Sequence, residues 1–214
     1  MRKIERNCTL ATEYHTWMEA NPTKAYSSSH KYYYDVLYQL LILQRGLCAY
    51  TEKCLISPEK LEEITAAFAD GKLNVPAQRP DVAADIEHFS KAIKVVSGWN
   101  WDNLFAAYSP VNRKKNHLED KYGIDDILKP DRVGYSAEHY LMYERNLHVF
   151  IPNVETLDDS EQERVRKMIL VLGLNNDGIV LERKEYLRKI KEIESLKNVP
   201  QVPTQYFTAY SMME

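Results

Sequence analysis

Four polar residues in the middle of the chain have side chains suited to hydrolytic chemistry. Glu87 and His88 are adjacent, Asn103 follows His88 by 15 residues, and Asn112 follows Asn103 by 9. A carboxylate and a carboxamide offer oxygen ligands to a hard cation, and a neutral imidazole can take a proton from water. The combination indicates hydrolysis assisted by a divalent metal ion.

Hydrolysis of a phosphodiester gives each residue of this set a task. Water must be activated, the developing negative charge stabilised and the leaving oxygen polarised, and one divalent ion can do the last two. Mg²⁺ and Mn²⁺ prefer oxygen ligands, so Glu87 and the side-chain carbonyl of Asn112 are the expected metal ligands. His88 is then the expected general base. Asn103 is expected to bridge the intervening loop by hydrogen bonds.

Spacing limits where these side chains can meet. Adjacent residues of a strand point to opposite faces, so Glu87 and His88 can share a site only near a strand end. Asn112 begins a helical stretch, N-R-K-K-N-H, in which Asn116 lies on the same face and His117 is rotated away by about 140°. We therefore prefer Asn112, with Asn116 as a possible helper, to His117 as the ligand.

The surrounding elements are predicted to be mostly helical. Apolar periodicity and capping signals predict helices at 31–45 with Gly46 as its stop, from Ser57-Pro58 to about Asp70-Gly71, from Asp159 or Ser160 to Leu172 with Gly173 as its stop, and at 179–197. Strand signals are sparse, and the best are at 84–89 and 93–97. Two prolines predict a loop at 74–81.

Composition bounds the class of protein. The 214 residues suffice for one medium domain. The sequence has no apolar run long enough to span a membrane and no signal peptide is visible, which favours a cytoplasmic protein. Three cysteines (Cys8, Cys48 and Cys54) cannot all pair within one chain, so reduced thiols are expected.

The net charge of −3 argues against binding nucleic acid by bulk electrostatics. Any contact with phosphates must then be local or shared with a partner. The one dense basic run near the motif is Arg113-Lys114-Lys115. Such a run is often only a solvated helix face, but its position directly after Asn112 favours contact with nucleic-acid phosphates.

On these residues the chain resembles the HNH endonuclease superfamily and, more narrowly, the nuclease subunits of Septu-type antiphage systems and of retrons that carry the same effector pair. The resemblance covers most of the chain. It includes L-C-A-Y-T-E at 47–52, I-E-H-F at 86–89, W-D-N-L at 101–104, N-R-K-K at 112–115, and L-G-L-N-N-D with the following R-K-E-Y helix at 172–186.

The resemblance implies a metal-dependent endonuclease that cleaves DNA or tRNA with Mg²⁺ or Mn²⁺. It makes His88 the general base, Glu87 and Asn112 the metal ligands, and Asn103 the residue that orders the loop. It also implies an ABC-type, SMC-like ATPase partner (PtuA-like), in retron systems the retron RNA or DNA as a further component, and no membrane. The alternative is a binding subunit that keeps the HNH fold without catalysis.

One departure from that family concerns zinc. Many relatives carry two C-x-x-C pairs that form a tetrahedral structural zinc site. Here the first pair retains Cys48 but has Thr51, and the second falls on Tyr108 and Val111. We therefore expect no structural zinc, and we expect apolar packing of Tyr108, Val111 and Trp101 in its place.

The expected fold class is α+β, mostly helical, with a small ββα-metal (HNH) unit and degenerate zinc-ribbon positions inside a helical scaffold. We expect a single nuclease domain over 1–214. Its parts are a helical N-terminal part (1–80), the ββα-metal core (81–122), a helical C-terminal part (123–198) and an extended tail (199–214). Because the tail carries Tyr206, Phe207 and Tyr210, we expect it to dock on the ATPase rather than on its own domain.

Overall fold

The computed structural model describes residues 1–6, 12–69, 72–73 and 83–213, and within them the chain is a mostly helical α+β protein. The helices are Thr12–Ala20 (α1), Tyr33–Leu43 (α2), Pro58–Ala67 (α3), Lys91–Val96 (α4), Ser109–Tyr122 (α5), Ala137–Tyr140 (α6), Asp159–Val171 (α7), Asp177–Lys197 (α8) and Phe207–Ser211 (α9). The strands are Phe68–Ala69 (β1), Lys72–Leu73 (β2), Ala84–His88 (β3), Leu104–Tyr108 (β4), Leu141–Glu144 (β5) and Val149–Pro152 (β6). They form the antiparallel pairs β1–β2, β3–β4 and β5–β6. No helix in the described ranges combines the length and the apolar character that crossing a membrane requires.

The chain divides into two compact units. Unit 1 comprises Met1–Lys3, Ala49–Cys54 and Arg113–Glu214, and unit 2 comprises Ile4–Cys48 and Leu55–Asn112. All four motif residues therefore lie in unit 2, whereas the basic run 113–115 belongs to unit 1. The boundary falls inside α5 and inside the range 81–122 that we expected to form the core.

In unit 2, the β3–β4 pair packs on α2, and side chains at the two ends of α2 cover the outer edges of the pair. Gln44, directly after α2, donates from Nε2 to the carbonyl of Ala106 (2.8 Å) and accepts from its N–H (2.9 Å). At the other edge, the hydroxyl of Tyr33 accepts from the N–H of Ile86. A lone two-stranded pair is marginally stable in water, so this cover fixes the strands that carry the motif.

An aromatic cluster in unit 2 anchors the connection between β3 and β4. Trp99 is 1% exposed, and its indole N–H donates to the carbonyl of Ala25 (3.2 Å). The Trp99 ring contacts those of Tyr14, Trp17, Tyr26 and His30. Burial of several aromatic rings stabilises one conformation of this connection.

The helix predictions are confirmed with shifts of one to two residues, except at the end of α3, which stops at Ala67, before strand β1, rather than near Asp70-Gly71. Ser57 caps α3 with Pro58 at its first position, as expected. α2 begins at Tyr33, and Gly46 follows it in the left-handed region at φ 74°. Asp158, rather than Asp159 or Ser160, caps α7, and α8 begins at Asp177 behind its cap Asn176.

The predicted strand at 93–97 is wrong. Residues 91–96 form α4, because the Oγ of Ser90 accepts from the N–H of Ile93 and caps a helix. Val95 and Val96 are 84% and 67% exposed, so the β-branched pair that suggested a strand has no packed surface to join. The second strand is β4 instead, and the loop expected at 74–81 lies outside the described residues.

Unit 1 contains the β5–β6 pair, and Asn175 covers one of its edges as Gln44 does in unit 2. The Asn175 side chain accepts from the N–H of Phe150 (2.8 Å) and donates to its carbonyl (2.7 Å). Arg183 is fully buried; it donates to the carbonyls of Leu174 and His148 and lies over the ring of Phe150. These contacts fix the pair to the start of α8.

The C-terminal tail is partly helical, which differs from the expectation of an extended segment. Residues 207–211 form α9, and Tyr206 is 1% exposed within unit 1. The carboxylate of Glu52 accepts from the N–H and the hydroxyl of Thr208, and the hydroxyl of Tyr210 donates to Glu194. The tail thus packs on its own unit through Tyr206 and Tyr210, whereas Phe207 is only partly buried. Docking of the tail on an ATPase stays a prediction.

Candidate active site

Asn103 closes the loop that separates the two motif segments. Its Oδ1 accepts from the N–H of Ser90 (2.9 Å), and its Nδ2 donates to the carbonyl of Ser90 (2.9 Å). The backbone carbonyl of Asn103 also accepts from the N–H of Phe89 (2.8 Å). The side chain is 1% exposed, so these bonds are shielded from water. They hold the segment that follows His88 against the start of β4.

His88 is the last residue of β3 and is 3% exposed. Its Nε2 lies 2.8 Å from the carbonyl oxygen of Gly98. A carbonyl only accepts, so we assign the proton of the neutral ring to Nε2 and its lone pair to Nδ1. Nδ1 is therefore the nitrogen that can take a proton from water.

Gly98 brings that carbonyl to His88 by a close approach of two backbone segments. A Cβ at position 98 would lie 2.4 Å from the backbone nitrogen of Tyr26 and 3.0 Å from the carbonyl oxygen of Lys24. Only glycine fits without moving one of the two segments.

Tyr26, in the backbone segment that Gly98 approaches, packs against the imidazole of His88. The two ring centroids are 4.5 Å apart, and the planes are nearly perpendicular at 86°. The hydroxyl of Tyr26 is hydrogen-bonded to that of Tyr33, which also accepts from the N–H of Ile86. Burial raises the pKa of Tyr26 well above its ordinary value, and the charges of Asp85 and Glu87 raise it further. Tyr26 therefore stays protonated beside two carboxylates.

Asp85, Glu87 and Asn112 supply the oxygen atoms of the site. Asp85 and Glu87 alternate along β3 and so share one face of the strand. The Nδ2 of Asn112, in the first turn of α5, lies 3.5 Å from Oδ2 of Asp85, a long contact. Glu87 is 2% exposed and Asn112 is 9% exposed. The donor set is two carboxylates and a carboxamide, which suits Mg²⁺ or Mn²⁺.

The motif residues thus belong to two groups near the end of β3. His88 and Asn103 are held by the loop, and Glu87 and Asn112 lie with Asp85 on the strand and the helix. In the described part of the chain, no three acidic, histidine or cysteine side chains form a metal-binding group.

The three residues of the basic run 113–115 differ in their exposure to solvent. Arg113 and Lys114 are exposed. Lys115 is fully buried, and its ammonium lies 2.8 Å from a carboxylate oxygen of Glu119. A phosphate contact by Lys115 would require breaking this buried pair, so we do not retain Lys115 as a phosphate contact. The alternative ligand His117 is exposed, and Asn116 is half-buried.

Three of the positions that we compared with zinc ligands, Cys48, Tyr108 and Val111, lie in unit 2 and make backbone and apolar contacts. The Sγ of Cys48 accepts from the N–H of Tyr108 at 3.4 Å. Val111 is 2% and Trp101 7% exposed, so both belong to the core of unit 2. Thr51, the fourth position, belongs to unit 1.

Sequence reasoning missed four residues that contact or support the motif: Gly98, Tyr26, Tyr33 and Asp85. Asp85 had a signal, because a carboxylate two residues before Glu87 must share its face if the segment is a strand. The other three had none, because their proximity to β3 depends on how a distant loop and α2 pack.

No protein-family model, curated protein or solved structure matches the chain.

Proposed function

We propose that the protein is a divalent-metal-dependent endonuclease of the HNH type that hydrolyses phosphodiester bonds in DNA or tRNA. The observation that carries the proposal is the arrangement at the end of β3. A histidine oriented by a backbone carbonyl lies next to a strand face with two carboxylates, and the carboxamide of Asn112 joins them from the helix that follows β4.

In the proposed reaction, Nδ1 of His88 takes a proton from a water molecule. The water oxygen forms a bond to phosphorus while the bond from phosphorus to the leaving oxygen breaks. The leaving oxygen takes a proton from solvent, so the products are a phosphate monoester and a hydroxyl. The bond from Nε2 to Gly98 keeps the imidazole in the required tautomer, as partners of catalytic histidines commonly do.

Glu87 and Asn112 would hold the metal ion, and Asp85 lies close enough to Asn112 to join them. When bound, Mg²⁺ or Mn²⁺ supplies positive charge that offsets the charge developing on the phosphate oxygens. Asn103 contacts only backbone groups among the bonds described above, so its role is to position the loop.

The second candidate is a binding subunit that keeps this fold without catalysis. The occurrence of Tyr108 and Val111 where the resembled family has zinc ligands favours it, since a chain of that family would then have lost other family residues. The retention of His88, Glu87, Asn103 and Asn112 together favours the nuclease.

The proposed cellular role is that of an effector in antiphage defence, recruited and gated by an ABC-type, SMC-like ATPase. The slightly acidic chain supports recruitment by a partner, because it has little charge with which to find nucleic acid alone. Tyr206 and Tyr210 are buried within unit 1, so a contact of the tail with the ATPase would use Phe207, which is only partly buried. Co-expression with the product of the neighbouring gene, followed by purification, tests this role: the expected result is a complex that contains an ATPase.

The test of catalysis compares wild type with His88→Gln on DNA and tRNA, with Mg²⁺, Mn²⁺ or EDTA. The glutamine amide can still donate to Gly98 but cannot act as a base, so cleavage should fall about 10²–10⁴-fold without unfolding. Circular dichroism serves as the control for folding. Cleavage by folded His88→Gln at the wild-type rate, or in EDTA, would contradict the proposal.

A further inference from the structure

Lys94, on α4, extends over the same tyrosine that contacts the candidate base. Its Nζ lies 5.0 Å from the ring centroid of Tyr26, whose edge-on contact with His88 spans 4.5 Å between centroids. One aromatic ring therefore separates an ammonium group from the imidazole. The contact is of the cation–π type, which holds a lysine side chain in place without neutralising its charge.

The backbone of Lys94 is tied to the motif as well. The N–H of Lys94 donates to the carbonyl of Ser90 (3.1 Å), and the same carbonyl accepts from Nδ2 of Asn103 (2.9 Å). The residue that closes the loop thus also fixes the helix that carries Lys94. The position of this cation is set by the same bonds that order the histidine segment.

The charge of Lys94 is also available. Several lysines of the described chain pair with carboxylates, such as Lys60 with Glu63 and Lys115 with Glu119. Within the described ranges Lys94 has no carboxylate partner, and its side chain is only half-buried.

An anionic substrate gains from a further cation here. A divalent ion held at Asp85, Glu87 and Asn112 would offset the two carboxylate charges of this end of β3, and Lys94 adds positive charge that can attract the substrate phosphates. Lys115 is occupied by Glu119, and Arg113 and Lys114 belong to unit 1. In unit 2, Lys94 contacts the ring of Tyr26, which in turn contacts His88.

We propose that Lys94, held over the ring of Tyr26, binds a phosphate of the nucleic-acid substrate beside His88. This inference rests on the proposed nuclease function and adds a substrate contact to it. The ligand chemistry is a backbone phosphate, so the contact does not depend on base sequence.

The test measures binding in the His88→Gln background, which prevents cleavage. Short fluorescent single-stranded DNA, duplex DNA and an RNA stem-loop are titrated at rising salt with and without Lys94→Gln. Lys60→Gln on α3 is the matched control, since it removes the same charge from an exposed pair within unit 2. Lys94→Arg keeps the charge, and circular dichroism checks folding.

Losing one phosphate contact should reduce the log–log salt slope by about 0.7–0.9 for Lys94→Gln. Raising salt fourfold would then cost the Lys94→Gln protein about threefold less affinity than its parent. Lys60→Gln should leave the slope unchanged, and Lys94→Arg should restore it. If Lys94→Gln and Lys60→Gln give the same slope while wild type still cleaves, the inference is wrong and the nuclease assignment survives. If the parent binds none of the probes and wild type cleaves none, both are overturned.

Discussion

The Nε2 of His88 lies 2.8 Å from the carbonyl oxygen of Gly98, ten residues along the chain. The bond fixes which ring nitrogen carries the proton, and it depends on a glycine that lies against the backbone of Tyr26. A residue without a side chain therefore determines the state of the candidate catalytic base. A substitution of Gly98 should therefore change the activity of the site although it removes no functional group.

Gly98→Ala should lower cleavage while leaving every motif residue in the chain. The added Cβ would lie 2.4 Å from the nitrogen of Tyr26, so one of two backbone segments must shift and the carbonyl that holds His88 must move. A displacement of about 1 Å can cost roughly 10²-fold in rate. Turnover of an oligonucleotide measures the effect.

Gly178→Ala is the matched control for Gly98→Ala. Its Cβ would come no nearer than 3.6 Å to the side chain of Asn176, and position 178 lies in the first turn of α8. It should leave cleavage unchanged and should not lower stability. Equal turnover by folded Gly98→Ala and Gly178→Ala would refute the role given to Gly98.

Tyr26→Phe and Tyr26→Leu should separate the ring from the hydroxyl. Phenylalanine keeps the ring against His88 and under Lys94, and it loses only the bond to Tyr33, worth about 0.5–1.5 kcal/mol. Leucine removes both ring contacts. We expect turnover near wild type for Tyr26→Phe and at least about tenfold lower for Tyr26→Leu, because the imidazole loses its packing partner.

Turnover and urea unfolding are measured on both Tyr26 variants. A rate loss in Tyr26→Phe equal to that in Tyr26→Leu would assign the effect to the hydroxyl. It would then contradict the positioning role of the ring.

The sequence predicted the helices well where capping and stop residues mark their ends. Ser57 and Pro58 mark the start of α3, and Gly46 and Gly173 follow α2 and α7 in the left-handed region, because caps and stops act over a few residues. Residues 93–97 were predicted as a strand but lie mostly in helix α4, since β-branched side chains favour strands only when a packed surface receives them. Strand β4 lacked alternation, because Leu104, Phe105, Ala106 and Ala107 are all buried.

Of the candidate site, the sequence predicted only the residues that belong to the motif. Asn103 was expected to bridge the loop, and its side chain makes two hydrogen bonds to Ser90 there. Tyr26, Tyr33 and Lys94 approach the motif through tertiary packing of segments that are distant in sequence, which no spacing rule encodes. Burial of Lys115 beside Glu119 was equally hidden, although the i,i+4 spacing allowed the pair.

Gln44→Met should destabilise unit 2 by removing the cover from the edge of β4. The methionine side chain fills a similar volume but leaves the N–H and the carbonyl of Ala106 without their buried partner. An orphaned buried group costs about 1–3 kcal/mol. The free energy of unfolding in urea measures this loss.

Gln44→Glu tests the donor side of the same amide. The Nε2 of Gln44 donates to the carbonyls of both Ala106 and Leu47, and a buried carboxylate would face these two oxygens without a proton to donate. At neutral pH it should therefore destabilise the protein at least as much as Gln44→Met does. An unfolding midpoint of Gln44→Met equal to that of wild type would show that water or a neighbouring group replaces the amide.

Glu194 links the attachment of the C-terminal tail to pH. The hydrogen bond from the hydroxyl of Tyr210, followed by those from the N–H of Gln201 and from Lys191, lowers the pKa of Glu194 from 4.5 to about 2. The folded pKa lies below the unfolded one, so the unfolded chain binds more protons between these values. The stabilisation is therefore complete above about pH 4.5 and is lost as the pH falls towards about 2.

Glu194→Gln should weaken the attachment of the tail and its dependence on acid, because the amide carries no charge to lose. Limited proteolysis of the tail from pH 6 downwards should show earlier cleavage in Glu194→Gln than in wild type, with a weaker pH dependence. Glu163→Gln on α7 is the control, because it removes a surface charge that pairs with Arg166 and not with the tail. Identical cleavage profiles for Glu194→Gln and Glu163→Gln would show that Glu194 does not hold the tail.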